Sequence, residues 1–173
     1  AVPGFMGFSC LESCIKAKKD TVDIAFYPED VFELKELANS PGLRVLCDSG
    51  VRPGMTNLLT ASAASNLDKV ETVDIYVGGL PKVRTKPWEY KAVFSPSDVI
   101  EEYTRPARIV RNGKIVTVEP LTEIELLNFD GIGSLEAFNS DGLRSLLFTI
   151  MADNMNEKTL RYPGYAEKIQ LLS

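Results

Sequence analysis

Apolar residues in the first third of the chain alternate between helical spacing and short continuous runs. In the first helical stretch, Phe8, Leu11 and Ile15 fall three or four residues apart and share one face. Pro53 begins the last helical stretch, where proline fits the first turn. The predicted elements are helix 8–18, strand 21–26, helix 30–39, strand 43–47 and a helix from Pro53 to about Leu67. This alternation is typical of a parallel α/β sheet.

The pattern changes after residue 70, where strands follow one another with few helices between them. Asn112-Gly113, between alternating apolar residues, predicts a tight hairpin. The predicted elements are strand 70–77, helix 96–103, hairpin 107–118, extended segments 121–129 and 134–139, and a helix from Ser140-Asp141 to about Asp153. Successive strands predict a mixed or antiparallel sheet, and so an α+β class for this part. We place a domain boundary near residue 60, which gives domains 1–60 and 61–173.

Composition and charge exclude several classes of protein. Hydrophobic residues make up 45% and charged residues 25% of the 173, as in folded globular proteins. The net charge is −5 and the basic residues are scattered, which argues against nucleic acid as a partner. The sequence has no apolar stretch near the roughly 20 residues that span a bilayer, and its start does not resemble a secretion signal. We therefore expect a soluble, cytoplasmic protein without a membrane partner.

The cysteine count bears on redox and metal chemistry. An odd number of cysteines, three, argues against a disulfide framework and fits a reducing cytoplasm. Cys10 and Cys14 lie four residues apart on a predicted helix, but only Cys47 remains and the chain has no histidine, so a closed zinc site lacks ligands. We expect no metal, and buried, inert thiols.

One segment has the position of a ligand-binding turn. Asp48–Gly54 follows a predicted strand and precedes a helix, at the edge where open α/β sheets bind ligands. Its glycines allow the backbone to approach a ligand closely, and the helix start offers free N–H groups. A well-made turn capped by Asp48 explains the segment equally well. The nearest match to a glycine-rich phosphate loop, Gly131-Ile132-Gly133, lacks the third glycine and is better interpreted as a plain turn.

Two later segments carry charged groups that suit an amino-acid ligand. Such a ligand needs cations or N–H groups for its carboxylate and acids for its ammonium, and Asp141 and Arg144 supply both types. Arg161 adds a second guanidinium beside two aromatic residues, Tyr162 and Tyr165. The simpler alternatives are capping of the predicted helix by Ser140 or Asp141, and an arginine at an exposed strand edge.

Taken in order, several segments resemble the saccharopine dehydrogenase-like family, in particular its lysine 6-dehydrogenase group. They are VPGFMG (2–7), VDIAFYPED (22–30), DSGVRPGMTN (48–57), YVGGLP (76–81), EYK (89–91), LEAFNSDGLRSLL (135–147) and EKTLRYPGY (157–165). The resemblance implies a Rossmann-like domain that binds NAD or NADP, of which residues 1–60 are the later part. It also implies that residues 61–173 form an α+β domain for substrate binding and dimerisation.

The resemblance further implies a reaction and its contacts. The reaction is hydride transfer between a nicotinamide cofactor and the carbon that bears an amine in an amino acid, through an imine. The implied cofactor contacts are Pro3, Gly4 and Phe5 in a loop, Val51, Arg52 and Pro53 in a turn, and Ser95. The implied substrate contacts are Ala25, Phe26, Asn139, Ser140, Asp141, Thr159 and Arg161, to which the charge pattern adds Arg144.

The candidate proton carriers are Asp48, Tyr90 and Lys91, because imine chemistry needs proton transfers. Exposed loops also commonly carry a tyrosine and a lysine, which is the simpler interpretation of the last two. Fungal saccharopine reductases have an arginine at the position of Ser140, so the hydroxyl favours lysine over saccharopine as substrate. The family's phosphate loop is missing, so we expect a fragment that binds NAD(P) poorly by itself.

Two rival functions stay open. Within enzymes, the alternative is reduction of carboxynorspermidine or saccharopine. Outside enzymes, the fragment is a non-catalytic dimerisation module, since an antiparallel sheet rich in apolar residues suits a homodimer interface. The residues that suggest this surface are Ile109, Val110, Ile115, Val116, Ile124 and Leu126.

Overall fold

The computed structural model describes residues 2–172, and Ala1 and Ser173 lie outside the described residues. The chain divides into two compact units. The first runs to Asp68 and includes the returning segment Arg144–Ile150, and the second consists of Lys69–Leu143 and the chain from Met151 onward. The domain boundary near residue 60 stays a prediction, and a break there would fall inside a helix of the first unit.

The first unit contains one pair of parallel strands among short helices. Its elements are α1 (Gly4–Lys16), β1 (Thr21–Val22), a 3-10 turn (Val31–Leu34) that leads into α2 (Lys35–Ala38), β2 (Val45–Leu46), α3 (Met55–Ala64) and the short helix Leu146–Thr149, named α5. Thr21 pairs with Val45, and Val22 pairs with Leu46. The core is formed by Leu11, Ile15, Tyr27 and Leu34, so the apolar face predicted for the first helix is confirmed.

The predicted strands 21–26 and 43–47 are longer than the strands observed, Thr21–Val22 and Val45–Leu46. The Asp23 carboxylate accepts the N–H of Ala25 at 3.0 Å, a local bond that competes with strand pairing at Ala25. The predicted helix 30–39 is also interrupted. Its first turn is 3-10, and only Lys35–Ala38 is α-helical.

The second unit is built on a six-stranded mixed sheet. Its elements are β3 (Thr72–Val77), α4 (Pro96–Thr104), β4 (Ala107–Arg111), β5 (Lys114–Val118), β6 (Glu125–Phe129), β7 (Gly133–Asn139), β8 (Asn154–Arg161) and α6 (Tyr165–Gln170). The strand order is β5-β4-β8-β7-β6, with β3 also paired to β8. The β3–β8 pair is parallel and the other pairs of this sheet are antiparallel, which confirms the mixed sheet predicted for this region.

The hairpin predicted at Asn112-Gly113 is confirmed. The two strands pair from Ala107 with Val118 to Arg111 with Lys114. Both turn residues have positive φ, 51° for Asn112 and 73° for Gly113. Paired strands are best joined by a turn with two positive φ values, and asparagine and glycine adopt these angles at the lowest cost.

The central strand β8 lacks the apolar alternation that predicts a strand. Its alternate residues Met155, Glu157, Thr159 and Arg161 share one face of the sheet, which we call the inner face. On β7, Phe138 pairs with Thr159 and therefore lies on the inner face as well. Helices α4 and α6 add Val99, Tyr103, Tyr165 and Ala166 to the core around Phe138. The inner face thus joins an apolar core to a row of polar side chains.

The helix predicted from Ser140-Asp141 to Asp153 is wrong. Only Leu146–Thr149 is helical, and it has no side-chain cap. Ser140 donates to Glu157 and Asp141 accepts from Arg108, so the capping prediction for these two residues is wrong as well. Partners from neighbouring strands hold both side chains in the interior, where they cannot cap a helix.

The homodimer stays a prediction, and fewer of the apolar residues that suggested its interface lie at the surface. Ile109 and Val110 are buried, at 0% and 4% exposure, and so do not form a surface. Ile115, Ile124 and Leu126 are exposed. Within residues 2–172, no helix combines the length and the apolar character needed to cross a bilayer.

Candidate functional site

The turn after β2 in the first unit has a tightly closed backbone. The Gly50 N–H donates to Pro53 O at 2.9 Å, and the Met55 N–H donates to Gly50 O at 2.9 Å. Gly54 has φ +140°, and a Cβ there would lie 2.1 Å from Gly50 O, so only glycine fits. The Arg52–Pro53 peptide is cis. The turn therefore places Val51, Arg52 and Pro53 in a fixed loop ahead of α3.

Asp48, one of the candidate proton carriers, is tied to the returning segment of the same unit. Its Oδ2 accepts the Ser145 N–H at 3.0 Å. Asn57 supports this contact, because its Nδ2 donates to Ser145 Oγ at 3.1 Å. Asp48 itself has φ +51°, an angle that asparagine and aspartate tolerate better than most residues. Its carboxylate thus fixes the turn to α5 rather than capping α3.

Arg144, a candidate substrate contact, is buried in the first unit. Its Nη2 donates to Tyr27 O at 2.6 Å and to Glu29 O at 2.9 Å, and the guanidinium carbon lies 5.6 Å from the centre of the Phe26 ring. These acceptors belong to the loop after β1, which also carries Ala25. Arg144 therefore fastens the loop that holds two other candidate contacts, Ala25 and Phe26.

A group of titratable side chains lies at the ends of β1 and β2. Burial raises the pKa of the Cys47 thiol to about 11, and the charges of Asp23 and Asp48 add to the rise. Burial also raises the pKa of Tyr27. Both groups are therefore neutral at pH 7, and Cys47 is not a nucleophile there. All three cysteines are free and half-buried, less enclosed than the sequence predicts.

The predicted cofactor loop at Pro3, Gly4 and Phe5 is the start of a helix. Pro3 precedes α1, Gly4 is its first residue and is buried, and Phe5 is 77% exposed. Val51 in the turn is also 59% exposed. The loop prediction was wrong because the helical spacing extends back to Gly7, which packs so closely on Tyr27 that a Cβ would lie 2.3 Å away.

The second unit places two candidate contacts, Ser140 and Thr159, around the carboxylate of Glu157, which the sequence analysis did not single out. The Ser140 hydroxyl donates to Glu157 Oε2 at 3.0 Å and lies 2.7 Å from Thr159 Oγ1. Glu157 is 0% exposed. Gly142 leaves it room, since a Cβ at that position would lie 2.2 Å from Glu157 Oε2. The signal available in the sequence was the alternation of polar residues at 157, 159 and 161.

Asp141 forms a buried ion pair with Arg108, a second residue that sequence analysis missed. Arg108 Nε and Nη2 donate to the two carboxylate oxygens, each at 3.2 Å. Arg108 is the second residue of the hairpin strand β4, and nothing in the sequence around it distinguishes it. Asn139, next in the same stretch, is fully buried and donates from Nδ2 to Thr122 Oγ1 at 3.2 Å.

Arg161 lies in the interior rather than at an exposed strand edge. Its Nη2 donates to Glu102 at 3.1 Å and to the Tyr103 hydroxyl at 3.0 Å. The guanidinium carbon is 4.1 Å from the centre of the Tyr90 ring, a cation–π contact. Burial raises the pKa of Tyr103, so its hydroxyl stays protonated. Tyr90 therefore belongs to the surroundings of Arg161.

The structure brings Ser140 and Thr159 into contact in the second unit. Asp141 and Arg161 lie in the same unit with other partners, Arg108 for Asp141, and Glu102 and Tyr90 for Arg161. Lys91 is exposed and forms no hydrogen bond or ion pair with any described residue. Ser95 precedes α4, where its hydroxyl lies 2.7 Å from that of Ser97. Within residues 2–172, no group of three or more His, Cys, Asp and Glu side chains has the arrangement of a metal site.

The sequence model described as saccharopine dehydrogenase C-terminal domain matches residues 50–173, which include all of β3 to β8. The chain belongs to the saccharopine dehydrogenase C-terminal domain family. The resemblance to the saccharopine dehydrogenase-like family drawn from the seven sequence segments is thereby confirmed, and its lysine 6-dehydrogenase group stays a prediction.

Curated relatives of this saccharopine dehydrogenase domain are much longer proteins. The mitochondrial alpha-aminoadipic semialdehyde synthase of Bos taurus is 27% identical over 177 residues, which cover 91% of this chain and 18% of the relative. The alpha-aminoadipic semialdehyde synthase of Arabidopsis thaliana is 28% identical over 182 residues, with coverage of 94% and 17%. The saccharopine dehydrogenase [NADP(+), L-glutamate-forming] of Pyricularia oryzae is 25% identical over 183 residues, with coverage of 99% and 41%. The chain thus spans less than half the length of these relatives.

A solved structure shares the fold. The apo, histidine-tagged saccharopine dehydrogenase (L-Glu forming) from Saccharomyces cerevisiae matches with a TM-score of 0.72 at 23% identity. The match covers 99% of this chain and 41% of the yeast chain. The saccharopine dehydrogenase C-terminal domain is therefore the framework on which the polar groups of β7 and β8 are placed.

Proposed function

We propose that this chain is the substrate-binding part of an NAD(P)-dependent amino-acid oxidoreductase of the saccharopine dehydrogenase type. The reaction is oxidation at the carbon of a C–N bond, through an imine. The observation that carries the proposal is the series of polar groups on and beside the inner face, inside the matched domain. Ser140 contacts Glu157 and Thr159, Asp141 pairs with Arg108, and Arg161 pairs with Glu102.

Burying these polar and charged side chains lowers the stability of the fold, so folding alone does not explain why the chain keeps them. Charged groups are expensive to bury, and replacing a buried ion pair by apolar residues is often neutral or stabilising. The second unit nevertheless buries Glu102, Asp141, Glu157 and Arg161 at exposures of 7% or less. Guanidinium groups, carboxylates and hydroxyls together are the set that an amino acid's carboxylate and amine require. We infer that selection for such a ligand retains them.

NAD or NADP, when bound, accepts the hydride, and the first unit offers part of the surface that would hold it. Phe5 and Val51 are exposed apolar side chains, suited to the flat face of a nicotinamide ring. Gly4, Arg52 and Pro53 would complete these contacts, with Pro3 and Ser95 as further candidates. The parallel β1–β2 pair is consistent with the later part of a Rossmann-like domain. NADP is the first cofactor to test, because it is named for the Pyricularia oryzae relative.

Asp48, Tyr90 and Lys91 remain the proposed proton carriers. Asp48 is held by the Ser145 N–H, Tyr90 stacks on Arg161, and Lys91 is exposed. A general acid or base must reach the reacting nitrogen or its water. Loss of one limb of the pH–rate profile in Asp48→Asn, Tyr90→Phe or Lys91→Met would identify the carrier.

The test of this function is turnover by the full-length protein. Saccharopine or L-lysine is offered with NADP⁺ or NAD⁺, and formation of the reduced nicotinamide is followed by its absorbance. We expect turnover of saccharopine. L-Lysine is the second candidate, favoured by the small hydroxyl of Ser140 at a position where fungal saccharopine reductases carry an arginine. Turnover of carboxynorspermidine alone would correct the substrate, and no turnover of any of them would contradict the proposal in favour of a non-catalytic module.

A further inference from the structure

Arg108 on β4 is held by one edge of its guanidinium. Nε and Nη2 donate to the two oxygens of Asp141, and the Arg108 backbone N–H also donates to Asp141 Oδ1, all at 3.2 Å. The Asp141 side chain is 2% exposed, whereas the Arg108 side chain is 27% exposed. The pair is therefore anchored in the interior at the carboxylate and reaches solvent at the guanidinium.

The other edge of this guanidinium carries Nη1 and the second Nη2 proton. Within residues 2–172, this edge of Arg108 donates to no protein group. Its N–H groups lie in one plane in a fork that matches the two oxygens of a carboxylate. Because Asp141 already fixes the side chain, a ligand that binds this edge does not have to order it.

The position of Arg108 links it to the polar groups of β8. Val110 pairs with Met155, so Arg108, two residues away on the same strand, lies on the inner face with Glu157 and Thr159. The other arginine of this face, Arg161, is only 4% exposed, whereas Arg108 is 27% exposed. Arg108 is thus the guanidinium of the inner face that a ligand reaches most easily.

We propose that Arg108 binds the carboxylate of the amino-acid ligand and that Asp141 is the positioning residue that presents its outer edge. The nature of the ligand rests on the proposed function. Asp141 acts through Arg108 and has no direct contact with the ligand. Specificity for a ligand that carries a carboxylate at this point follows from the geometry of the fork.

The test uses the full-length protein with glutarate and its neutral diamide, glutaramide, as probes, and calorimetry to measure their binding. Wild type should bind glutarate more tightly than glutaramide. Arg108→Met should weaken glutarate binding about tenfold or more, the usual scale for losing a charged hydrogen-bond partner, and leave glutaramide within about twofold. Arg108→Lys, which keeps the charge without the fork, should fall between the two. If Arg108→Met does not fold, Arg108→Lys tests the assignment in its place.

A matched control and a double-mutant cycle separate positioning from folding. Arg111→Met removes an arginine of the same strand on the opposite face, where it pairs with Glu123, and should leave glutarate binding unchanged. Asp141→Asn should weaken glutarate binding in the wild-type background and have no further effect in Arg108→Met. Equal loss of glutarate and glutaramide in Arg108→Met, or an effect of Asp141→Asn that persists without Arg108, would overturn the assignment.

Turnover distinguishes failure of this assignment from failure of the proposed function. If the full-length protein oxidises its amino acid and Arg108→Met leaves both KM and glutarate binding unaltered, the assignment of Arg108 fails alone. If no amino acid is oxidised but glutarate binding depends on Arg108, the proposed function fails and the carboxylate site stands. A rise in KM with kcat within about threefold is the kinetic result expected for lost ground-state binding.

Discussion

The two units of the chain stabilise their candidate sites in different ways. In the first unit, the turn of residues 48–54 is closed by backbone hydrogen bonds and depends on the missing side chain of Gly54. In the second unit, the inner face is organised by ion pairs. Arg161 and Glu102 are both buried, and Arg108, which is 27% exposed, pairs with the buried Asp141. The first unit should therefore be sensitive to an added Cβ, and the second to a lost charge.

The largest effect should follow removal of Arg161 from the second unit. Arg161→Leu removes the buried cation that donates to Glu102, and breaking a buried pair in this way costs about 3–5 kcal/mol of unfolding free energy. Chemical denaturation of the chain measures this change. Arg161→Leu combined with Glu102→Leu should recover part of the loss, because both charges of the pair are then removed.

Arg84 is the matched control for a cation on a tyrosine ring. Its guanidinium also lies 4.1 Å from a tyrosine ring, that of Tyr162, and also pairs with a carboxylate, Glu89, but its side chain is 49% exposed. Arg84→Leu should leave the denaturation midpoint nearly unchanged. Similar losses for Arg84→Leu and Arg161→Leu would mean that burial of the charge does not set the cost.

The next largest effect should come from Gly54→Ala in the first unit. The substitution places a Cβ 2.1 Å from Gly50 O at φ +140°, and strain with an unavoidable backbone clash costs about 2–4 kcal/mol. Gly42→Ala is the control in the same unit, because Gly42 also has positive φ, +82°, but open space around it. It should cost only about 1 kcal/mol. A Gly54→Ala variant as stable as Gly42→Ala would contradict the packing of this turn.

The difference between local backbone contacts and contacts with distant side chains also explains which features the sequence could predict. Local signals succeeded: the hairpin at Asn112-Gly113 and the apolar face of α1 depend on residues close together in the chain. β8 was missed because its inner-face residues Glu157, Thr159 and Arg161 are polar and are buried only through partners on other elements. The false helix after Ser140 has the same origin, since a local capping pattern was outweighed by distant partners.

The candidate site follows this rule as well. Ser140, Thr159 and Arg161 were found through the family resemblance, which carries information about distant contacts that spacing does not. Arg108 was missed because it stands in no distinctive local pattern. Glu157 was missed because the polar alternation at 157, 159 and 161 was not interpreted as one face of a strand. Arg108 can be recognised as a candidate site residue only from the structure. There β4 pairs with β8, and Arg108 forms an ion pair with Asp141.

A smaller effect is expected at Cys47 in the first unit, where burial raises the pKa of the thiol. Its pKa of about 11 means that the thiolate fraction should rise about tenfold per pH unit between pH 8 and 10, without a plateau near the ordinary value of about 8.5. A Cys10→Ser, Cys14→Ser variant leaves Cys47 as the sole target for a thiol reagent. The raised pKa contributes stability that is complete below about pH 8.5 and is lost as pH rises towards about 11. A labelling rate that levels off near pH 9 would contradict this burial.

The smallest effect should be at the ion pair between Arg44 and Asp20, which joins the starts of the two short strands of the first unit. Arg44 Nε and Nη2 donate to Asp20 Oδ2 at 3.0 and 2.6 Å, a close contact, but the Arg44 side chain is 87% exposed. Water and salt screen such a pair, so Arg44→Met should leave the denaturation midpoint unchanged within error. The Arg44 backbone N–H can still donate to the Asp20 carboxylate, at 2.9 Å in the structure. A clear drop in the midpoint would mean that the parallel pair depends on side-chain charge, as the second unit does, rather than on backbone bonds and the core around Leu11 and Ile15.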